Sequence, residues 1–393
     1  MMTRMDFSTL ALVFALGLVG PLLAWRAAWH VPVVLGELVA GIVFGSTGFG
    51  VLHPGDPTFA FLSDMGFALV MFVAGTHVPV RDPAVRSALG IGAMRAVAVG
   101  VFAAAAGFTV ADWFDTGHGA MYSVLIASSS AALVLPIIDS TGLRGKSVLA
   151  LTAQVAVADT ACIVALPLVI ETGAAGRAAV GALAVAVTGV AVFFLLRYLE
   201  RSGLRKRAHE ESERRQFALE LRISLAVLFG LAALATRTHV SIMLAGFATG
   251  LAVAGVGEPR RVAKQLFAIT DGFFAPLFFV WLGARLNLRD FGAHPRLIAL
   301  GVALGLAAVL AHVLMRLLGQ PIGLGALAAA QIGVPVAAVT VGTQLGVLLP
   351  GEASALMLGA LVTIAAAAVG AGITARHLPG GPETNGSAGR ASE

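Results

Sequence analysis

Long apolar stretches recur along the whole chain and constrain its fold more than any other feature. Each runs for roughly 18–24 residues, the length that a helix needs to cross the ~30 Å hydrocarbon core of a bilayer. Backbone groups in hydrocarbon must pair within the protein, so only helices and closed barrels can span a membrane. Barrel strands would give short segments of alternating polarity, and these stretches do not alternate. The sequence therefore predicts an all-α, polytopic membrane protein.

Composition and charge agree with this interpretation. Of the 393 residues, 58% are hydrophobic and 12% are charged, and the mean hydropathy is +0.91. A soluble domain has about 25% charged residues. The net charge of +5 could suggest a nucleic-acid partner. However, the basic residues cluster in short loops between apolar stretches, where they set topology. We therefore predict a lipid bilayer as the surroundings and no nucleic acid as a partner.

The apolar stretches define about thirteen predicted spans. Arg and Lys are concentrated in alternate loops, from the loop after the first span to the tail after the last. The positive-inside rule then places the N-terminus outside and the C-terminus in the cytoplasm, as a multi-pass protein of the inner (plasma) membrane. The predicted spans are 7–25, 32–50, 59–79, 88–111, 119–138, 148–170, 178–196, 218–235, 239–256, 266–284, 297–315, 322–346 and 353–374.

Two polar segments divide and end the predicted membrane transporter domain, which covers residues 1–375. The run 197–217 is dense in charges of both signs, which is typical of a solvated cytoplasmic linker between two halves. The tail 376–393 is rich in Gly and Ser, and we expect it to be disordered in the cytoplasm.

One acidic residue, Asp159, lies about halfway along a predicted span. A charge at that depth costs roughly 3 kcal/mol on insertion scales, so such residues usually face a partner or a water-filled path. A carboxylate suits either a proton or a hard cation, and burial favours the protonated form enough for the two to compete near neutral pH. We therefore predict that Asp159 binds protons and, transiently, Na⁺ or K⁺. The alternative is a buried aspartate that only holds helices together through a hydrogen bond.

Two predicted spans, the fifth and the twelfth, contain polar residues and a proline at mid-membrane depth. Proline removes a backbone donor and can interrupt a helix. A pair of interrupted helices in corresponding positions of two halves marks the midplane site of many transporters. The alternative is an ordinary proline kink in each span, stabilised by serine hydroxyls. The residues predicted to mark or line these breaks are Ser129, Ser130 and Pro136 in the first span, and Gln331, Gly333 and Pro335 in the second.

Glu37 lies nearer the predicted cytoplasmic end of its span. We predict a structural role for it, as a cap for a neighbouring helix, ahead of ion binding. Gly41 and Gly45 follow on the same helix with the small-xxx-small spacing of close helix contacts. Arg95 lies within snorkelling distance of the cytoplasm and is predicted to extend toward water.

Five segments, 32–45, 65–75, 127–136, the helix around Asp159 and 276–283, together resemble the monovalent cation:proton antiporter superfamily, on its Kef-like and NapA-like side. The resemblance implies inverted repeats, a dimerisation domain and a mobile six-helix core. In that core, two discontinuous helices would cross beside the ion-binding aspartate. It also implies a homodimer, elevator-like alternating access and no resident cofactor.

When the family's motif is matched to this sequence position by position, Asp159 corresponds to the essential carboxylate of the family. Ser129 and Ser130 match the serines of the first crossing helix. The resemblance thus implies that these three residues form the proton- and cation-binding site.

Several positions depart from the family pattern. Ala158 stands where relatives usually have Asp, Asn or Gln, Ala131 where they have Thr, and Pro335 where many have Glu. The predicted span 297–315 is apolar up to His312, so the membrane-embedded Lys or Arg of many members is missing. With a single carboxylate and no titratable lysine, we predict electroneutral, one-for-one exchange.

The predicted function is therefore secondary active transport and not enzymatic catalysis: exchange of a monovalent cation for protons by alternating access. Carboxylate, hydroxyl and carbonyl oxygens suit both Na⁺ and K⁺, so either cation fits. Two alternatives share the scaffold: a sodium-coupled symporter of organic anions, and a cation channel or sensor whose core never alternates. An intramembrane hydrolase is disfavoured, since neither a second buried Asp nor a Ser with a mid-membrane His is evident.

Overall fold

The fold of the protein is all-helical wherever its structure is described. The computed structural model describes residues 5–25, 33–78, 81, 83–170, 175–203, 219–238, 240–257, 260–289, 291 and 295–377. Ten helices in these ranges are long and apolar enough to cross a membrane. The remaining predicted spans coincide with the helices Val33–Phe44, Leu219–Arg237 and Ile242–Val256. The chain is therefore a multi-pass helical membrane protein, and the total of thirteen spans and the inverted repeats stay predictions.

We number the helices along the chain and give letters to the parts of interrupted helices. They are α1a Phe7–Gly17, α1b Val19–Ala24, α2 Val33–Phe44, α3 Pro57–His77, α4 Pro83–Phe114, α5a Gly119–Ala127, α5b Ala131–Thr141, α6 Lys146–Ile170, α7 Ala175–Arg201, α8 Leu219–Arg237, α9 Ile242–Val256, α10a Arg260–Ile269, α10b Ala275–Arg285, α11 Pro295–Val313, α12a Ile322–Ala328, α12b Gly333–Leu345 and α13 Glu352–His377. A π-helical turn, Thr270–Phe274, joins α10a to α10b, and a 3₁₀ turn, Leu314–Leu318, extends α11.

Polar caps fix where several of these helices begin. Oδ1 of Asp56 accepts hydrogen bonds from the backbone N–H groups of Thr58 and Phe59, at 2.8 and 2.9 Å, at the start of α3. Asp6 and Ser241 cap α1a and α9 in the same way. A short polar side chain satisfies N–H groups that have no acceptor inside the helix. The caps therefore set the ends of these apolar helices at the short loops.

The helices pack into two groups. In one group, α4, α5 and α6 pack together and against α11, α12 and α13. In the other, α2 and α3 pack against α9 and α10b, with α1 and α8 on the outside. Helix α7 contacts α9 of the second group and α6 of the first. The dimerisation and core subdomains that the family resemblance implies stay a prediction.

Small residues allow the closest helix contact of the second group. Gly41 and Gly45 of α2 face α10b, and a Cβ atom on Gly41 would lie 2.2 Å from the carbonyl oxygen of Val280. A Cβ on Gly45 would lie 2.3 Å from Cα of Ala284. Only glycine permits this approach, because any side chain would clash with the opposing backbone. The predicted small-residue contact is therefore confirmed.

The predicted linker 197–217 begins later than the sequence suggested, because α7 continues through Arg201. Arg197 and Arg201 lie one turn apart at the helix end, where positive charge interacts favourably with the negative end of the helix dipole. The linker from residue 204 onward and the tail beyond residue 377 lie outside the described residues.

Candidate functional site

The first break interrupts the fifth span at three consecutive serines. Helix α5a ends at Ala127, and Ser128 has extended backbone angles, φ −72° and ψ 153°. The carbonyl of Ser130 accepts the first hydrogen bonds of α5b, from the N–H groups of Leu133 and Val134 at 3.1 and 2.9 Å. The break thus lies at the predicted serines.

Pro136 does not mark this break, and the prediction for it is wrong. Helix α5b runs from Ala131 to Thr141 with Pro136 inside it. The proline removes the N–H that would pair with the carbonyl of Ala132, yet the helix continues. Serine hydroxyls compete for nearby backbone acceptors, which explains why the chain leaves the helix at Ser128 and not at the proline.

The second break lies between Ala328 and Gly333. Gln331 is inside the break, and Gly333 is the first residue of α12b. Ile332 is the N-cap of this helix, and its carbonyl accepts a hydrogen bond from the N–H of Val336 at 3.0 Å. Pro335 is in the first turn of α12b, where an N–H would lack an intrahelical acceptor in any case. Pro335 therefore suits the start of the new helix and does not cause the break.

The two interrupted helices touch each other at their breaks. The hydroxyl of Ser128 donates a hydrogen bond to the side-chain oxygen of Gln331. The hydroxyl of Ser129 donates to the carbonyl oxygen of Ala328 at 2.6 Å. These side chains are buried, with Ser128 fully inaccessible. The carbonyl of Ala328, which is freed where α12a ends, thus receives a hydrogen bond from a serine of the other interrupted helix, as a buried backbone acceptor requires.

Asp159 of α6 lies beside this crossing. Its Oδ2 accepts a hydrogen bond of 2.9 Å from the backbone N–H of Ala131, the first residue of α5b. The carboxylate therefore caps the N-terminus of a helix, where partial positive charge favours an anion. Among the described residues this is the one hydrogen bond that Asp159 accepts. The other carboxylate oxygen, Oδ1, accepts no hydrogen bond from the described residues.

Gln154 is a buried polar residue that the sequence analysis left aside. It lies five residues before Asp159 on α6, about 7.5 Å along the helix axis. Its side chain is 1% exposed, and neither amide atom has a hydrogen-bond partner in the described part of the chain. The hydroxyl of Thr340 on α12b is likewise buried without a partner. Buried polar groups of this kind usually bind water or a ligand.

A cavity of about 390 Å³ leads to the crossing from one side. It is lined by residues of α2, α3, α5b, α10 and α12b, and its wall includes Leu133 and Gly333, next to the two breaks. Glu37, Thr270 and Asp271 line the same cavity. The hydroxyl of Thr270 is buried and has no partner among the described residues. The cavity therefore joins a polar wall to the place where the two interrupted helices meet.

Glu37 does not act as the helix cap that the sequence suggested. It is 3% exposed and makes no hydrogen bond within the described residues. Instead it lines the cavity, where the charge of Asp271 acts on it electrostatically. Sequence analysis missed Asp271, although its position inside the predicted span 266–284 was a signal. The π-helical turn that contains it is a feature often found at functional sites.

Arg95 differs from its prediction as well. Its side chain is 3% exposed, and Nη2 donates a hydrogen bond of 3.0 Å to the carbonyl of Leu318, at the end of the 3₁₀ turn after α11. In α11, His312 is buried, and its Nδ1 lies 2.9 Å from the carbonyl oxygen of Ala308. The buried guanidinium of Arg95 thus reaches from α4 to the 3₁₀ turn that follows α11.

Comparison with known structures identifies the fold. The sodium proton antiporter MjNhaP1 of Methanocaldococcus jannaschii, solved at pH 8, superposes with a TM-score of 0.69 at 17% sequence identity. The match covers 94% of this chain and 98% of that one. At this identity the likeness concerns the fold alone.

Two proteins with similar sequences are also named as Na⁺/H⁺ antiporters, and both are longer than this chain. YjbQ of Bacillus subtilis (strain 168) is 21% identical over 304 residues, which is 73% of this chain and 48% of YjbQ. The Na⁺/H⁺ antiporter NhaS5 of Synechocystis sp. is 26% identical over 271 residues, 66% of this chain and 37% of that protein. The chain thus spans about half the length of these relatives, or less. The family model for the sodium/hydrogen exchanger transmembrane region matches residues 10–378. The chain therefore belongs to the sodium/hydrogen exchanger family of membrane proteins.

Proposed function

We propose that this protein is a secondary transporter that exchanges a monovalent cation, Na⁺ or K⁺, for protons. The observation that carries the proposal is the position of Asp159, buried beside two helix breaks with one carboxylate oxygen held by Ala131. A carboxylate binds a proton or a hard cation, and binding of one excludes the other. Competition at one group is the simplest physical basis of exchange.

Neighbouring oxygens complete the proposed cation site. The hydroxyl of Ser129 donates its hydrogen to Ala328, so its lone pairs remain able to accept a cation. Ser130 is buried at the same break, and its hydroxyl would be a second neutral ligand. One carboxylate and a few neutral oxygens suit a monovalent ion that must leave as readily as it enters.

Alternating access would expose this site to each side of the membrane in turn. The cavity that contains Glu37 and Asp271 would be the path on one side, which the distribution of basic residues predicts to be cytoplasmic. In this proposal α4–α6 and α11–α13 form a mobile core. Helices α1–α3 and α8–α10 form a scaffold that joins two copies in a homodimer, as the family resemblance implies. The protein would lie in the inner membrane with the N-terminus outside and the C-terminus in the cytoplasm.

We further propose that the exchange is electroneutral. The residue before Asp159 is Ala158, and no Lys or Arg lies within the membrane-embedded part of α11. Asp159 is then the one carboxylate at the helix crossing among the described residues, and it would alternate between one proton and one cation. Proteoliposome transport that is unaffected by an imposed membrane potential would agree with this stoichiometry, whereas transport currents that scale with the potential would contradict it.

Proteoliposomes containing a pH-sensitive dye provide the test of the function itself. Addition of Na⁺ or K⁺ should dissipate an imposed pH gradient, and Asp159→Asn should abolish the response. Asp112→Asn is the matched control, because Asp112 is an exposed carboxylate on core helix α4. A wild-type protein that leaves the gradient unchanged with every alkali cation would refute antiport. Na⁺-dependent uptake of an organic anion, or single-channel currents, would then favour the two alternatives.

A further inference from the structure

A second and larger cavity lies away from the ion site. It has a volume of about 880 Å³ and opens between α6, α7 and α9. Its walls are mostly apolar and include Val164 of α6, Val190 and Phe193 of α7, and Leu244 and Phe247 of α9. Val190 is 54% exposed, so the cleft is accessible from the side of the protein. In a membrane this side faces the lipid tails.

One end of this cleft is strongly basic. Four arginines line it there: Arg81 and Arg86 from the segment between α3 and the first turn of α4, and Arg197 and Arg201 from the end of α7. Glu200 is the one acidic residue among the described lining residues. The apolar walls and the basic rim make the cleft complementary to an anionic amphiphile, which has an apolar tail and a negatively charged head.

Two of the arginines are held at the rim by specific contacts. Nη1 of Arg81 donates a hydrogen bond of 2.9 Å to the carbonyl of Val256, the last residue of α9. The guanidinium of Arg197 lies over the ring of Phe193, 5.9 Å from its centre. A guanidinium has five N–H donors, so each retains donors for a phosphate group. The rim is thus positioned to bind an anion directly above the apolar cleft.

We propose that this cleft binds an anionic phospholipid of the surrounding bilayer. Its acyl chains would lie along α7 and α9, and its phosphate would contact Arg81 and Arg197. Basic pockets between membrane helices commonly bind anionic head groups, and the long apolar wall favours a lipid over a soluble anion. The net positive rim favours an anionic lipid over a zwitterionic one.

The position of the cleft gives the lipid a mechanical role. It lies between α6 and α9, which belong to the two different helix groups. Thr160, which lines the cleft, directly follows Asp159 on α6. A lipid in this cleft would therefore contact the helix that carries Asp159 and would brace it against the opposite group.

Native mass spectrometry of the detergent-purified protein, with phosphatidylglycerol or phosphatidylcholine added, tests lipid binding without any transport assay. We expect phosphatidylglycerol to be retained preferentially and to raise the thermal unfolding midpoint. Arg197→Gln and Arg86→Gln should each weaken retention about fivefold. The control is Arg144→Gln, an exposed arginine of another loop on the same predicted face.

A second variant distinguishes the contribution of the apolar wall to lipid binding from that of the arginines. Ala186→Trp should fill the cleft from α7 and reduce lipid retention, although all four arginines remain. Equal retention of the two lipids, an equal loss in Arg144→Gln, or full retention in Ala186→Trp would overturn the proposal. Inorganic phosphate that reproduced the thermal shift alone would also overturn it, because the site would then be one for a soluble anion.

Discussion

The backbone N–H of Ala131 donates a hydrogen bond to Oδ2 of Asp159 across 2.9 Å, which places a buried carboxylate at the start of a helix in the middle of the membrane. Two opposing effects act on this carboxylate. Burial favours its neutral form, whereas the hydrogen bond and the helix dipole favour its charged form. In the proposed function, this balance allows Asp159 to exchange a proton for a cation.

Removal of the Asp159 side chain should lower stability more than neutralisation does. Asp159→Asn keeps an oxygen that can accept the hydrogen bond of Ala131, whereas Asp159→Ala leaves a buried N–H unsatisfied. We expect the alanine variant to be less stable than the asparagine variant by about 1–3 kcal/mol, measured by unfolding in detergent. The same pair of changes at the exposed Asp112 should give equal stabilities. An equal stability of the two Asp159 variants would show that the hydrogen bond is not formed.

Loss of the Ser129 hydroxyl should impair cation binding. Ser129→Ala removes a bond to the carbonyl of Ala328 at the crossing, at a cost of about 1 kcal/mol, and removes a proposed cation ligand. We expect the apparent KM for the cation to rise several-fold. Ser123→Ala is the matched control, because that hydroxyl donates to the carbonyl of Gly119 within α5a, away from the break. Equal effects of the two changes would argue against a ligand role for Ser129.

Neutralisation of the cavity wall should slow cation entry and leave turnover intact. Glu37→Gln and Asp271→Asn each remove a carboxyl group from the cavity wall, and an ionised carboxyl group attracts a cation toward the crossing. We expect a several-fold increase of the apparent KM at low ionic strength, an almost unchanged kcat, and a smaller effect in high salt. Asp112→Asn, outside the cavity, should leave KM unchanged. A KM that is the same in wild type and both cavity variants would exclude this path.

The pair formed by His118 and Glu352 should make stability depend on pH. Nδ1 of His118 lies 2.7 Å from Oε1 of Glu352, and this hydrogen bond raises the pKa of His118 above its usual value. Tyr122 also donates to Glu352, at 2.6 Å. The stabilisation is then complete below the unfolded-state pKa of about 6.5. It is lost as pH rises through the higher folded-state value.

Thermal unfolding of wild type and His118→Gln across pH 5–9 measures this contribution. The stability difference between them should be largest in acid, at most about 1 kcal/mol for a partly exposed pair, and should shrink as pH increases. A difference that grows toward alkaline pH would mean that the histidine is bound in its neutral form.

The sequence was most informative at the ion site, where a few polar residues interrupt long apolar stretches. Asp159 and the serines at Ser128–Ser130 are polar groups at a depth where they carry a free-energy cost, so the apolar pattern alone exposed them. The start of α3 depends on local signals, Asp56 and the proline that follows it, which the predicted span 59–79 did not use. The close helix contact of α2 was predictable from the small-xxx-small spacing of Gly41 and Gly45.

Features that depend on tertiary packing were not predictable in this way. Pro136 remains inside a helix because a proline can be accommodated when neighbouring helices support it, and no local signal reveals that support. Glu37 lines a cavity only because α2 and α10 place it opposite Asp271. Gln154 becomes noteworthy only when its buried amide is found without a partner. These relationships arise only when the helices pack together, and the order of residues along a single helix does not contain them.

Proton release upon cation binding is the most direct test of competition at Asp159. Purified protein in weakly buffered detergent solution near neutral pH would be mixed with Na⁺ or K⁺, and the protons released would be counted against the heat of cation binding. Competition at Asp159 predicts about one proton released for each cation bound, and neither proton release nor cation binding in Asp159→Asn. Cation binding that persists in this variant, or that releases no proton in the wild type, would contradict it.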